Sequence, residues 1–590
     1  MLRLSKIFKT ISAHKPIHRN ILSKFCAKTN FLAGDNAIFV DEMYSIWLED
    51  PNSVHPSWDQ YFNNVEAGED PNSAYFLPPT LGMPEDELKK TFALKDQIQR
   101  QLGGNLQETN CQVQEKLSRL FMKYRDLGHE IARVNPIESE EDYSKRKSEF
   151  KDLEDSYEYH DFTPEELDIP FKYASEIQTG IHTTKKVWTP REAAKTMNDI
   201  YCGPISFQHT HIAEVEVRNW IRNYIEKIPQ VVQTPEEKEY LLDRILESQT
   251  FTNFCETKFP SAKRFGIDGL DSVISGLEMM VDRAKEHGVR NVCLGMAHRG
   301  RLNTLVSVCD KPYETMFGEF KDKKGTSIYE DEEGFSGDVK YHLGSSSRRK
   351  YPDGETIQLT LMPNPSHLET VNTVTMGKAR AKMDFLGDRT GDQVMACTIH
   401  GDAAFSGQGV VYEMIQMEKL KGYHVGGTIH VITNNQVGFT TNPVDARSSQ
   451  YVTDLAKTIN GFVIHVNADR PEYVDYAFKL AVDYRNKFKR DVFVDVIGYR
   501  KYGHNEQDMP KFTQPKMYKT IETMKPMWLK YCEQLINEGF ITQEKIDEKI
   551  AGYKSMMQEA LDKSERQEFR KPQMEDQTWT KYLSKPKDDH

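Results

Sequence analysis

Asp402 and Asn435 stand about thirty residues apart, one in a Gly-Asp pair within VMACTIHGDAAFSGQGVVYE and the other in an Asn-Asn pair within GTIHVITNNQVGFTT. Asp402 offers a hard carboxylate, Asn435 an amide oxygen, and the turn Gln436-Val437-Gly438 can aim a main-chain carbonyl at the same point. That oxygen set suits magnesium, which needs only one or two protein carboxylates when phosphate oxygens complete its shell. Gly401, Gly407 and Gly409 let backbone amides approach an anion where a helix begins. Either turn alone is ordinary strand-end chemistry; the pair points to a cation and an anion held together. Upstream, VRNVCLGMAHRGRLN breaks from an apolar run at Ala297 and presents His298, Arg299 and Arg301 beside a glycine. Two arginines there suit a diphosphate or form a structural, ion-paired set. His298 can hold a carboxylate or move a proton near neutral pH.

These groups converge only if strand ends bring them together. Val394 to Ile399 and Thr428 to Thr433 read as short buried strands, with an amphipathic helix expected over Val410 to Leu420 between them. Strand–helix–strand order of this length makes the strands parallel, so Asp402 and Asn435 fall at carboxyl ends, the edge where open parallel sheets bind ligands. Gly461 to Asp469, a helix over Tyr473 to Phe488 and a strand over Asp491 to Tyr499 continue the rhythm. The expected fold is α/β, a parallel sheet flanked by helices and preceded by a helical amino-terminal region.

With 590 residues, 38% of them apolar, the chain has enough for several cores. A net charge of -12 argues against a nucleic-acid partner, and no apolar run is long enough to cross a bilayer. Eight scattered cysteines without a Cys-x-x-Cys pair fit a reducing compartment. Met1 to Leu32 carries seven Lys or Arg and no acid, with Leu4, Ile7, Phe8 and Ile11 at helical spacing, as a mitochondrial presequence does. Residues 33–84 read as two short helices over Phe39 to Asn64 and a proline-rich linker. Residues 85–188 read as a helical region and charged linker, 189–260 as a second helical region, 261–520 as the α/β domain and 521–590 as a helical extension and tail.

The spelling of these motifs resembles a known family. Gly-Asp followed by Asn-Asn resembles the thiamine diphosphate signature, and GDAAFSGQGVVYE with NNQVGFTT resembles the thiamine-dependent first component of the 2-oxoglutarate dehydrogenase complex. GDVKYHLG, NPSHLE and YRKYGHNEQDMPKFTQPKMY follow in the family's order, and Phe39 to Asn64 resembles its complex-docking element. The resemblance implies thiamine diphosphate and magnesium as cofactors. Asp402, Asn435 and Val437 would serve the metal, Arg299 the diphosphate, His298 and His342 the substrate; Ser366 and Leu368 would line the pocket, and Ala403 would join the cofactor contacts. The implied reaction is oxidative decarboxylation of 2-oxoglutarate with succinyl transfer to the lipoyl arm of a succinyltransferase component, in the mitochondrial matrix. KYHLG favours 2-oxoglutarate over 2-oxoadipate relatives.

Departures from the family limit the transfer. Glu130 and Asn135 replace a usual histidine and aspartate, so calcium regulation is not carried over; Gln208, Asn372 to Thr375, Arg470 and Met509 also differ. His504 and Glu506 lack a third ligand at zinc spacing. The family's second sheet domain, which binds the aminopyrimidine and supplies its activating glutamate, finds no room after Lys563. The expectation is therefore half of a split or truncated enzyme, forming a homo-oligomer or pairing with a chain that carries that domain. The alternative is a non-catalytic structural subunit of a mitochondrial assembly.

Overall fold

The computed structural model describes residues 43–48, 50–67, 106–150, 162–172, 180–181, 187–227, 231–321, 341–364 and 366–569. The proposed presequence, the proline-rich linker and the carboxyl-terminal tail lie outside them. Two compact units divide between Glu108 and Thr109. In the first, helical residues 43–48 and the helix Pro56–Glu66 meet as the aromatic stripes require: Tyr44, Trp47, Tyr61 and Phe62 are buried together. Tyr44 donates to Glu66 (2.6 Å) and Trp47 Nε1 to Asp59 (2.7 Å), so each buried ring keeps its polar end satisfied.

The second unit is built on a sheet. A two-stranded antiparallel ribbon, β1 (Phe171–Lys172) and β2 (Val187–Trp188), stands apart from it. The sheet itself comprises β3 (Ile205–Gln208), β4 (Asn291–Met296), β5 (Ser345–Lys350), β6 (Thr356–Leu361), β7 (Val394–Gly401), β8 (Thr428–Asn434), β9 (Phe462–Asn467) and β10 (Val492–Ile497), in the order β3-β9-β10-β8-β7-β4-β6-β5. The six central strands are parallel; β3 and β5 close the edges antiparallel. Helices cover both faces, which is why β7, β8 and β10 read as continuous apolar runs. Alternation still sorts them: Met395, Cys397 and Ile399 pack into the larger core, Val394 and Ala396 into the smaller one behind the helices Thr370–Leu386 and Gly409–Gln416.

The expected α/β class is present, with local differences. The helix expected over Val410 to Leu420 spans Gly409–Gln416 and ends earlier, and a separate short helix, Asp402–Gly407, precedes it and starts at the metal candidate itself. Residues 189–260, expected to be helical, hold the helices Pro190–Tyr201, Val215–Ile225 and Pro235–Lys258 but also contribute β3. The helices Met527–Asn537 and Gln543–Glu565 pack against Pro235–Lys258 through Leu241, Ile245, Tyr531, Leu535 and Ile546. No described helix is long and apolar enough to cross a membrane. Cys202, Cys255, Cys293, Cys309, Cys397 and Cys532 are free and buried.

Candidate active site

Parallel strands place five motif-bearing turns on one edge. β4 leads into His298 and Arg299, β6 into Asn364, β7 into Asp402, β8 into Asn435 and β10 into Arg500. The chain leaves β4 toward β6 and leaves neighbouring β7 toward β8, so the topology reverses between β4 and β7, the position where such sheets open a crevice.

Register sets the metal candidates. Gly401 pairs with Thr433, and Thr433 Oγ1 donates to the His400 carbonyl (2.8 Å), locking the two strand ends just before Asp402 and Asn435 emerge. A Cβ on Gly438 would come within 2.6 Å of the Ala403 methyl, so only glycine lets the two turns meet. Asp402 is 3% exposed, and burial pushes its carboxyl up to about 7; Arg447 opposes the shift and Asp495 adds to it. Asn435 Oδ1 accepts from the Val437 amide (3.3 Å), and both residues are buried. Among the described residues no three His, Cys, Asp or Glu side chains are grouped to hold a metal. The donors at this point are a carboxylate, an amide oxygen and a main-chain carbonyl, all hard oxygens, which with phosphate oxygens to complete the shell would fit magnesium.

The anion candidates lie in the adjoining loops. Arg299 donates to the carbonyls of Gly266 (3.0 Å) and His504 (2.7 Å), which leaves it further N–H groups for an anion. Burial and then the nearby positive charge of Arg500 lower its guanidinium to about 10. Arg500 in turn donates to the Phe439 carbonyl (3.1 Å), tying this loop to the end of NNQVGF. Arg301 behaves otherwise. It is fully buried and spends its donors on the carbonyls of Met296, Leu343 and Met362, so it stitches the β4 and β6 turns together and is no diphosphate ligand. Its neighbour Gly300 has φ +75°, and a Cβ there would strike Ile267 at 2.5 Å.

His298 sits beside Phe265 (ring centroids 4.6 Å) and His504 (5.4 Å). Burial first, then the charges of Arg299, His504 and His342, lower it to about 3. It is thus a neutral hydrogen-bonding group at physiological pH. His342 follows Tyr341, whose ring also meets Phe265 (5.1 Å), and the His342 carbonyl accepts from the Asn364 amide (2.9 Å), joining KYHLG to NPSHLE. Ser366 and Leu368 are exposed at this edge. Glu369, held at φ +73°, bonds His400 Nδ1 and accepts from Asn372 (2.9 Å), linking NPSHLE to the Gly-Asp turn. Asn372, one of the departures, is a buried packing partner.

Several contributors were not singled out from sequence: Phe265, Asp495 and Arg500. Asp495 accepts from Asn434 (3.1 Å) and bonds His465 (2.9 Å), whose other nitrogen meets Gln208 on β3 (3.0 Å). A lone polar residue inside each apolar strand, Asp495 in VFVDVI and His465 in FVIHVN, was the available signal for this pair. Glu506 spends its carboxylate on the amides of Arg264 (3.0 Å) and Gly266 (2.9 Å), shaping the loop that receives Arg299.

Comparison with known proteins adds to this geometry. The family model of the dehydrogenase E1 component matches residues 247–573, and that of the 2-oxoglutarate dehydrogenase N-terminus matches residues 29–69. The chain is 39% identical to the mitochondrial 2-oxoglutarate dehydrogenases of Schizosaccharomyces pombe (88% of this chain, 50% of the relative), Dictyostelium discoideum (92% and 51%) and Saccharomyces cerevisiae (95% and 54%). It spans about half the length of these curated relatives.

Proposed function

The chain belongs to the dehydrogenase E1 component family, whose members depend on thiamine diphosphate, and from that premise we propose that it forms the cation- and diphosphate-binding half of a 2-oxoglutarate dehydrogenase active site. One observation carries this reading: the ends of adjoining strands β7 and β8, held in register at Gly401 and Thr433 and brought close where Gly438 meets Ala403, set the buried Asp402 carboxylate beside the buried Asn435–Val437 turn, on the same sheet edge as the half-buried Arg299 with its further N–H groups. Hard oxygen donors beside an arginine fit a divalent cation bridged to a diphosphate.

In this reading Asp402, Asn435 and the Val437 carbonyl hold magnesium, Arg299 binds the diphosphate, and Ala403, Ser366 and Leu368 line the cofactor's path. Bound thiamine diphosphate would supply the nucleophilic carbon and the electron sink that decarboxylation of a 2-oxo acid requires. His298, neutral, and His342 orient the 2-oxoglutarate carboxylates by hydrogen bonding. The succinyl product would pass to the lipoyl arm of a succinyltransferase component. The relatives are named mitochondrial, and we place the chain in the matrix. Leu368, Phe439, Val444, Met509 and Phe512 are exposed in the loops that follow the parallel strands or just beyond them. Such an apolar rim supports a pyrimidine-binding domain seated there, from a chain that carries it.

The test is calorimetric titration of thiamine diphosphate into the native assembly with and without magnesium, alongside CO2 release from 2-oxoglutarate. Magnesium-dependent binding that Asp402→Ala abolishes and Asn435→Ala weakens is expected. Binding indifferent to magnesium, or to Asp402, would overturn the assignment.

A further inference from the structure

Between the two proposed metal ligands Asn435 and Val437 stands Gln436, a non-glycine residue at φ +60°. An L side chain keeps that conformation only where its surroundings over-determine it. Here the Gln436 amide donates to Asn434 Oδ1 (3.3 Å), and Gln436 Nε2 donates to the Gly498 carbonyl (2.7 Å) and to Asn135 Oδ1 (2.8 Å). An amide nitrogen has two hydrogens, and both are spent. Gln436 therefore has no Nε2 donor left for a cofactor; what its side chain does is hold its own backbone.

Asn434 and Gly498 belong to the sheet edge that carries the turn. Asn135 does not: it reaches in from 301 positions away, on the segment after the helical residues Gly128–Ile131. That segment is a firm mount. Asn135 Oδ1 also accepts from the Ile137 amide (3.1 Å), which fixes the oxygen and uses its second lone pair. Arg133 donates its amide to the Cys202 carbonyl (3.1 Å), and the Arg133 carbonyl accepts from Asn467 (3.3 Å). Arg146 bridges the Ala132 carbonyl (3.1 Å) and the Glu138 carboxylate (2.7 Å), while Ala132 and Val134 pack with Tyr451 and Ile497.

We propose that Asn135 is a positioning residue for the metal turn: through Gln436 it holds the left-handed backbone that directs the Val437 carbonyl and the Asn435 amide toward one cation. The inference rests on the magnesium reading of the site and adds to it a contact from outside the sheet. Groups one step removed from a metal commonly change its affinity about 10–100-fold when lost, and that is the effect expected here.

The experiment measures magnesium affinity at fixed thiamine diphosphate, by calorimetry on the full native assembly, for wild type, Asn135→Leu and Asn135→Asp. Asn135→Leu removes the acceptor and should weaken magnesium about 10–100-fold, with the KM for 2-oxoglutarate unchanged; Asn135→Asp keeps an acceptor oxygen and should restore wild-type affinity. Gln436→Gly, which tolerates positive φ without side-chain bonds, gives a second route. In that background Asn135→Leu should add nothing, because the two side chains act as one unit. Asn135→Ala replaces the leucine variant if the bulkier side chain prevents folding. Wild type that binds magnesium with thiamine diphosphate, together with an Asn135→Leu variant that binds equally well, overturns the positioning role alone. Wild type that binds neither overturns the site reading, and the positioning role with it.

Discussion

Replacing Asp402 by asparagine should stabilise the metal-free protein and disable it for cofactor at the same time. The carboxyl, ordinarily near 3.8, is pushed up to about 7 by burial. Each tenfold change in proton affinity is worth about 1.4 kcal/mol, so holding Asp402 ionised in the folded chain costs up to about 4 kcal/mol. The sign follows from the direction of the shift. Because the folded value lies above the unfolded one, the contribution to stability is complete below pH 3.8, is lost as pH rises toward about 7, and stays lost above it. Asp402→Asn keeps the shape and removes the charge, so in chelator its advantage over wild type should be absent near pH 4 and reach its plateau, at most about 4 kcal/mol, above pH 7. Magnesium and thiamine diphosphate should reverse the order. A ligand at a hundred times its dissociation constant stabilises the form that binds it by about 2.7 kcal/mol, and only wild type should gain it. Denaturant midpoints at pH 5 and pH 8, each with chelator and with the cofactor pair, supply all four values. Equal midpoints for the two proteins in chelator at pH 8 would refute the desolvation argument; a cofactor-dependent gain in the variant would refute the metal assignment.

Three further outcomes are expected. His342→Ala removes a hydrogen bond to a substrate carboxylate, worth about 1.5–3 kcal/mol, and should lower kcat/KM for 2-oxoglutarate by about 10–100-fold, with thiamine diphosphate affinity unchanged by titration; a selective loss of cofactor affinity would remove it from the substrate side. The pH profile of kcat/KM, which reports the free enzyme, should contain no limb from His298 between pH 5 and 8, since burial and neighbouring positive charge lower it to about 3; a limb in that range that vanishes in His298→Gln would contradict this. Arg301→Met leaves the carbonyls of Met296, Leu343 and Met362 short of a donor, and at about 1–3 kcal/mol for each buried group it should lower the denaturant midpoint well beyond any effect of Arg299→Met, whose loss should fall on diphosphate affinity.

The parallel sheet was legible because burial on both faces writes itself as apolar runs with turn residues at their carboxyl ends, and β7, β8, β9 and β10 carry that pattern plainly. Strand order was not. β10 inserts between β8 and β9 although it follows both in the chain, and nothing in VFVDVI distinguishes a central place from an edge. β3 escaped for a different reason: ISFQ is four residues long and lies between two helices, and what makes it a strand is its antiparallel pairing with β9 rather than any periodicity of its own.

At the site, residue type announced the groups that could bind, while only the fold sorts them by task. Arg299 and Arg301 stand two positions apart with the same chemistry, yet Gly300, at φ +75° and pressed against Ile267, turns the chain so that one guanidinium bridges two loops and the other is sealed among carbonyls. His298 read alone as a group titrating near neutrality; beside Phe265, His504 and Arg299 it is neutral throughout that range. Arg299 is adjacent in the chain, but Phe265 comes from a loop more than thirty residues upstream and His504 from another more than two hundred downstream, so no local window contains those two. The same holds for Gln436, whose backbone conformation is settled by Asn135 and Gly498. A motif therefore names which atoms can meet a cation or an anion, and the charge state and direction of those atoms are decided by side chains that the motif does not contain.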